Sequence, residues 1–289
     1  MSLSLAISPC PNDTFIFHAW INDRIRGAPP VHVTFADIDV CNGLALRGEP
    51  DVAKISYAAY PEVADRYALL PSGGAVGRGC GPLVLSAGRT GLAGARVAIP
   101  GPATTAFLLF RLWPGSRDVA GIEVMPFEKI MPAVSSGEVD AGLVIHESRF
   151  TYPAYGLTAL ADLGEWWDAD TGLPIPLGAI VARRGLDIAR IADVIRRSVE
   201  SAWADPSASR LFVAEHAQEM DPDVVASHIG LYVNEFSADL GEEGLAAVQA
   251  LLTRSAQAGV TRTLPARALE VSATRRRGHP PTQRQGALG

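Results

Sequence analysis

The first two-thirds of the chain alternates short apolar runs with segments of helical period. Leu3–Ser8 reads as a strand, followed by a proline-punctuated turn at Pro9–Asn12. Asp13 and Thr14 suit the start of a helix over Phe15–Asp23, because short polar side chains accept hydrogen bonds from the N–H groups of a first turn. Val31–Phe35 alternates as a second strand, and Val52–Ser56 forms a third that leads into a helix from about Tyr57 to Tyr67. Short strands alternating with helices predict parallel βαβ units and an α/β fold.

The segment Ser72–Pro82 holds five glycines. It does not have the spacing of a phosphate loop: no Gly-Lys-Ser/Thr follows, and the next element is a strand, Leu83–Ser86. It reads instead as a turn and crossover between substructures. A new unit begins with the strand Ala95–Ile99, turns at Pro100-Gly101-Pro102 and continues as a helix over Thr104–Trp113. A strand at Ile122–Pro126 follows, then a helix over Glu128–Ser136 closed by Gly137. Ala141–Ile145 is a buried strand that runs into His146, and Leu177–Ala182 is a second strand-like crossover.

Beyond Gly185 the pattern is wholly helical. Ile188, Ile191, Val194, Ile195, Val199, Ala202 and Trp203 mark one face of an amphipathic helix. Asp221-Pro222 opens a later helix and Glu242–Ala258 forms another. The two crossovers divide the chain into a larger discontinuous α/β domain over 1–86 and 178–271 and a smaller inserted α/β domain over 87–177. Residues 272–289 read as a disordered tail. Two chain crossings between lobes make a hinge with a cleft for a small ligand.

Composition narrows the functional classes. The chain has 289 residues and is 48% hydrophobic, which excludes a disordered protein and allows a large core. Cys10, Cys41 and Cys80 form no disulfide framework and read as reduced thiols. The N-terminus has no signal-peptide pattern and no window suits a membrane helix, so a cytoplasmic protein without membrane contact is expected. The net charge of −6 argues against nucleic acid as a partner. The tail from Ser272 carries four arginines and no acid, so the preceding residues carry −10. An acidic body that accepts an anion needs local positive ends. Lys54, one of only two lysines, and the helix start at Thr105 are the candidates.

In open α/β sheets, ligands bind beyond the carboxyl ends of the parallel strands. Polar groups fall there in four places: Ser8–Thr14 with Asn12 and Asp13, Lys54-Ile55-Ser56, Thr104-Thr105-Ala106, and His146 with its charged neighbours. Helix N-termini at such turns attract carboxylates. Each place also has a purely structural reading. Asn12, Asp13, Thr14, Ser56 and Thr104 suit helix caps, and Lys54 suits the surface. His146 divides evenly between base and structural residue. His18, His216 and His228 fall on expected helices and read as packing or surface residues, His32 lies in a strand, and His279 in the tail. No HExxH, zinc-spaced cluster, GxSxG elbow or dinucleotide fingerprint is present, so neither metal nor cofactor is expected. One histidine in such a cleft suits proton abstraction and elimination.

The blocks SPCPNDTFIFHA (Ser8–Ala19), KISYAAY (Lys54–Tyr60) and IHESRFTY (Ile145–Tyr152) resemble the 1,4-dihydroxy-6-naphthoate synthases of the futalosine route to menaquinone. The resemblance runs from about residue 3 to 260 and includes SGGAVGRGCGPLV, DLGEWW and GLPIPLGAI. It implies a two-lobed fold like the type II periplasmic binding proteins, with a ligand cleft between the lobes. It also implies a lyase that takes a small-molecule carboxylate, cyclic dehypoxanthine futalosine, and releases dihydroxyacetone. It assigns His146 as proton acceptor and Lys54, Ile55, Ser56, Thr105 and Ala106 to substrate contact. Asn12 and Asp13 are expected to line the same cleft. Cys41 and His18 depart from the family pattern without touching the proposed base. Chorismate dehydratase, a related enzyme of the same pathway, and a non-catalytic cytosolic solute-binding protein are the alternatives.

Overall fold

The computed structural model describes residues 2–217 and 221–270. The arginine-rich tail and His279 lie outside the described residues. Among the described residues, eleven strands form two sheets. The strands are β1 (Leu3–Ile7), β2 (Val31–Phe35), β3 (Val52–Ser56), β4 (Tyr67–Leu69), β5 (Ala75–Gly77), β6 (Leu83–Ser86), β7 (Arg96–Ile99), β8 (Gly121–Val124), β9 (Ala141–Val144), β10 (Thr158–Asp162) and β11 (Ile175–Arg183). The first sheet runs β2-β1-β3-β11-β4, with β5 also on β11, and the second runs β10-β6-β9-β7-β8.

Both sheets are mixed. β1 lies parallel to β2 and β3, and β7 lies parallel to β8 and β9, as the βαβ pattern requires. The members next to the crossings run antiparallel: β11 against β3, and β6 against β9. β6 belongs to the second sheet, and β11 begins in the first sheet at Ile175. The crossings therefore fall between β5 and β6 and between β10 and β11, a few residues before the 86/87 and 177/178 boundaries read from the sequence.

Several elements differ from the pattern reading. The expected helix from Tyr57 to Tyr67 is a short 3-10 turn, Tyr57–Ala59, a single α-turn, Tyr60–Val63, and then β4. Tyr67 is fully buried, and its hydroxyl donates to Pro50 O at 2.7 Å, which anchors it in the sheet. A helix over Ile38–Arg47 and another over Leu163–Thr171 were not legible as apolar stripes. The first helix starts at Pro11, not after Thr14. Proline lacks the N–H that a first helical position leaves unpaired, so Pro11 fits there.

The Ile188–Ala204 helix packs against the Pro11–Ile21 helix. Its buried face is Ile191, Val194, Ile195, Ser198, Val199 and Ala202, whereas Trp203 is exposed. Ser198 is the one polar residue of that group. Its Oγ donates to Ile16 O at 2.6 Å and accepts from Trp20 N at 3.2 Å, so its burial leaves nothing unpaired. Among the described residues, no helix is long and apolar enough to cross a membrane.

Candidate active site

Three turns meet where the sheets face one another. The first is the start of the Pro11–Ile21 helix, beyond the carboxyl end of β1. The second is the end of β3, and the third is the Thr105–Leu112 helix after β7. The segment after β9 brings His146 to them. Ser8, Asn12, Asp13, Lys54, Ser56, Thr104, Thr105, Ala106 and His146 all line one inner pocket. Ile55 is the exception among the expected residues. It faces the other side of β3 and is fully buried in the core, as strand alternation requires.

The Asn12–Asp13–Thr14 group does not cap the first helix. Asp13 instead accepts from Lys54 Nζ at 2.5 Å and from Ser8 Oγ at 2.6 Å. Both charged side chains of that pair are buried. Lys54 is therefore a neutralised ion-pair partner in the pocket wall, not a free positive end. Gly178 of β11 makes room for it: a Cβ there would lie 2.6 Å from Lys54 Cε. With Nζ held by Asp13, the lysine cannot swing aside cheaply.

Asn42, which the sequence reading did not single out, organises the second turn. Its Oδ1 accepts from Ser56 N at 2.8 Å, and its Nδ2 donates to Ser56 Oγ at 3.1 Å and Ala103 O at 3.3 Å. The last of these bonds ties the Ile38–Arg47 helix to the turn before the Thr105–Leu112 helix, so Asn42 bridges that turn and the end of β3. Thr104 caps that helix by accepting from Phe107 N at 3.2 Å. Thr105 Oγ1 donates to Leu177 O at 2.6 Å and is thus engaged across the two sheets. The N–H groups of Thr105 and Ala106 belong to a first turn, which has no intrahelical acceptors for them. Both residues line the pocket, so the positive end of a helix lies at its wall.

His146 sits between two spaces. It lines the inner pocket, of about 70 Å³, and an outer chamber of about 320 Å³ bordered by Asp37, Asp39, Phe127 and Glu147. Its backbone is left-handed, with φ of 55°, a region that non-glycine residues rarely enter. Such strain persists where the surroundings over-determine it. Arg149 provides part of that restraint: it donates to Gly81 O at 2.7 Å and pairs with Asp162, which caps the next helix at Gly164 N. Gly81 and Gly164 approach so closely that a Cβ on Gly81 would lie 2.0 Å from Gly164 N. The blocks GCGP, HESR and DLG are thus three sides of one knot behind His146.

Burial holds the His146 imidazole below its ordinary 6.5, outweighing the nearby carboxylates of Glu147, Asp13 and Asp37, which pull it up. The ring is therefore neutral and basic at neutral pH. Its Nδ1 lies 3.6 Å from Cys10 Sγ. Burial, and then Glu147, push the Cys10 thiol well up. Donor atoms of Cys10, His146 and Glu147 lie within 4.8 Å of one another. Sequence spacing hides this cluster because Cys10 and His146 are 136 positions apart.

His228, read from the sequence as a packing or surface residue on a helix, is a second histidine of the inner pocket. It is 1% exposed and lines the inner pocket. Its ring lies 13° from parallel to that of His146, with centroids 6.2 Å apart. Its Nε2 is 3.0 Å from Asn12 Oδ1. Burial, with His146 and Lys54 adding to it, lowers its pKa to about 3.

A family model described as menaquinone biosynthesis matches residues 3–257. The chain is 60% identical over 270 residues to 1,4-dihydroxy-6-naphthoate synthase of Streptomyces coelicolor, covering 91% of this chain and 96% of that one. It is 47% identical over 268 residues to the protein of that name from Thermus thermophilus, covering 91% and 97%. A crystal structure of an Archaeoglobus fulgidus protein superposes with a TM-score of 0.82 at 33% identity, over 89% of this chain and 97% of that one. The periplasmic aliphatic sulphonate binding protein SsuA of Escherichia coli, at 14% identity and a TM-score of 0.65 over 99% and 94%, shares the fold. The architecture is therefore the two-lobed periplasmic-binding-protein type. The family match runs from β1 through the last helix, Gly241–Gln257, and takes in every element that lines the cleft, so the chain belongs to the menaquinone biosynthesis family.

Proposed function

We propose that the chain is a cytoplasmic carbon–carbon lyase that converts cyclic dehypoxanthine futalosine to 1,4-dihydroxy-6-naphthoate and dihydroxyacetone, with His146 as general base. The position of His146 in the walls of both the inner pocket and the outer chamber carries this reading. A bicyclic carboxylate joined to a sugar-derived ring is too large for the inner pocket alone. When it spans both spaces, the spiro junction between its halves lies at the histidine. Two relatives that bear the synthase name, at 60% and 47% identity, support the same activity.

The neutral imidazole takes a proton from the carbon or hydroxyl next to the spiro centre. For Nε2 to accept that proton, Nδ1 carries the ring hydrogen and faces Cys10 Sγ at 3.6 Å. The electron pair left behind drives cleavage of the carbon–carbon bond; the electrons of that bond stay with one fragment, which takes the proton back from the His146 imidazolium, and formation of the aromatic ring supplies driving force. The first-turn N–H groups of Thr105 and Ala106, with Ser56, hold the carboxylate in the inner pocket. Asn12, Asp13 and Lys54 form the fixed wall beside it.

Incubating the purified protein with cyclic dehypoxanthine futalosine tests the reading. The two products are expected in equal amounts, and His146→Ala is expected to lower kcat by about 10²–10⁴-fold. Substrate recovered unchanged from the wild-type protein would point to a binding protein, and consumption of chorismate instead would point to the dehydratase.

A further inference from the structure

The polar chain behind the pocket sets the hydrogen positions of His228. Asp13 is an ion-pair carboxylate, so it only accepts. Asn12 Nδ2 donates to Asp13 Oδ1 at 3.0 Å, which fixes the Asn12 amide with its oxygen turned to His228. That oxygen, 3.0 Å from His228 Nε2, is an acceptor, so Nε2 is the nitrogen that carries hydrogen. In a neutral imidazole the other nitrogen, Nδ1, then offers a bare lone pair. Nδ1 is buried and, among the described residues, has no hydrogen-bond partner. Leaving a buried acceptor unmade is costly unless something else pairs with it.

We propose that His228 Nδ1 is a substrate-holding acceptor, which takes a hydrogen bond from a hydroxyl group of the bound substrate beside His146. The inference rests on the lyase reading above and adds a second histidine to it. The two rings have separate tasks. His146 accepts the proton, whereas His228 grips an O–H group without removing its hydrogen. The relay from Lys54 through Asp13 and Asn12 keeps that acceptor in one tautomer.

Two near-isosteric substitutions separate this role from a structural one. In His228→Gln, the side-chain amide reaches the Nε2 position and keeps a donor for Asn12, but nothing accepts at the Nδ1 position. In His228→Asn, the amide oxygen takes the Nδ1 position, but the donor to Asn12 is lost. If His228 only supports the fold, His228→Gln is the better enzyme. If Nδ1 holds substrate, His228→Gln loses kcat/KM by roughly 10- to 100-fold while His228→Asn retains more. Binding of 1,4-dihydroxy-6-naphthoate, followed by its fluorescence, is expected to weaken in the same order, and the melting temperatures are expected to run in the opposite order. Wild-type turnover with His228→Gln equal to or better than His228→Asn overturns the inference alone. Absence of turnover by the wild-type protein overturns the lyase reading, and this inference with it.

Discussion

Lys54 Nζ lies 2.5 Å from Asp13 Oδ1, and both side chains are removed from solvent. The pair joins the start of the first helix to β3 across 41 residues of sequence. It cancels a charge that the sequence reading assigned to substrate attraction. The body of the chain carries −10. If the ligand is the proposed carboxylate, its recruitment is expected to rest on the first-turn N–H groups of Thr105 and Ala106 rather than on a cation.

A buried pair is stable only while both partners are present. Lys54→Met and Asp13→Asn are each expected to lower unfolding free energy by about 3–5 kcal/mol. The double variant is expected to lose less than the sum, because neither leaves the other's charge stranded. Chemical denaturation of the three proteins measures this, and strict additivity would contradict the coupling.

The left-handed backbone of His146 separates shape from chemistry. His146→Asn places a residue tolerant of positive φ there, so its stability is expected to stay within about 1 kcal/mol of wild type while activity is lost. His146→Val puts a β-branched residue in the same conformation and is expected to cost about 1–2 kcal/mol more. Equal stability of the two variants would show that the conformation relaxes.

Burial lowers the His146 pKa more than Glu147, Asp13 and Asp37 raise it. The imidazole, the proposed base, is therefore deprotonated down to a pH below 6.5. In kcat/KM against pH, the acid limb is expected to fall off below that value. His228 adds no second step near neutrality, because it stays uncharged down to about 3. An acid limb above 6.5 would show that the carboxylates prevail.

His228 makes stability pH-dependent in a defined direction. The unfolded chain takes a proton at the ordinary histidine pKa of 6.5, whereas the folded protein takes it only near 3. Between those values the unfolded state binds more protons, so stability falls as pH falls from 6.5 toward 3. The slope attributable to this residue approaches about 1.4 kcal/mol per pH unit below the unfolded pKa. His228→Gln is expected to give a shallower acid decline in urea titrations at pH 4–6, and an unchanged decline would refute the assignment.

What was legible in the sequence was local. β2 and β3 match their apolar runs residue for residue, and His146 drew notice because it follows a buried strand. His228 did not, because it occupies the helical stripe shared with Val224 and Tyr232, where a histidine reads as packing. Asn42 was missed along with its helix, whose buried positions are only Cys41, Asn42 and Ala45. Asn12 and Asp13 look like caps from their spacing. Their partners, His228 and Lys54, are distant in sequence and no local period announces them. The antiparallel strands beside the crossings escaped for the same reason: strand direction is set by the path of the chain between lobes.

The bond between Asn12 and His228 spans 216 residues. At ribosomal rates of about 5–20 residues per second, Asn12 is made roughly 10–40 s before its partner exists. The inner pocket is thus completed late in synthesis. An N-terminal fragment that stops short of the Pro222–Tyr232 helix contains His146, Lys54 and Thr105, yet has an open wall where the second imidazole belongs. On the proposed reading, a chain that ends before that helix would carry the proposed base, His146, without the wall that His228 supplies.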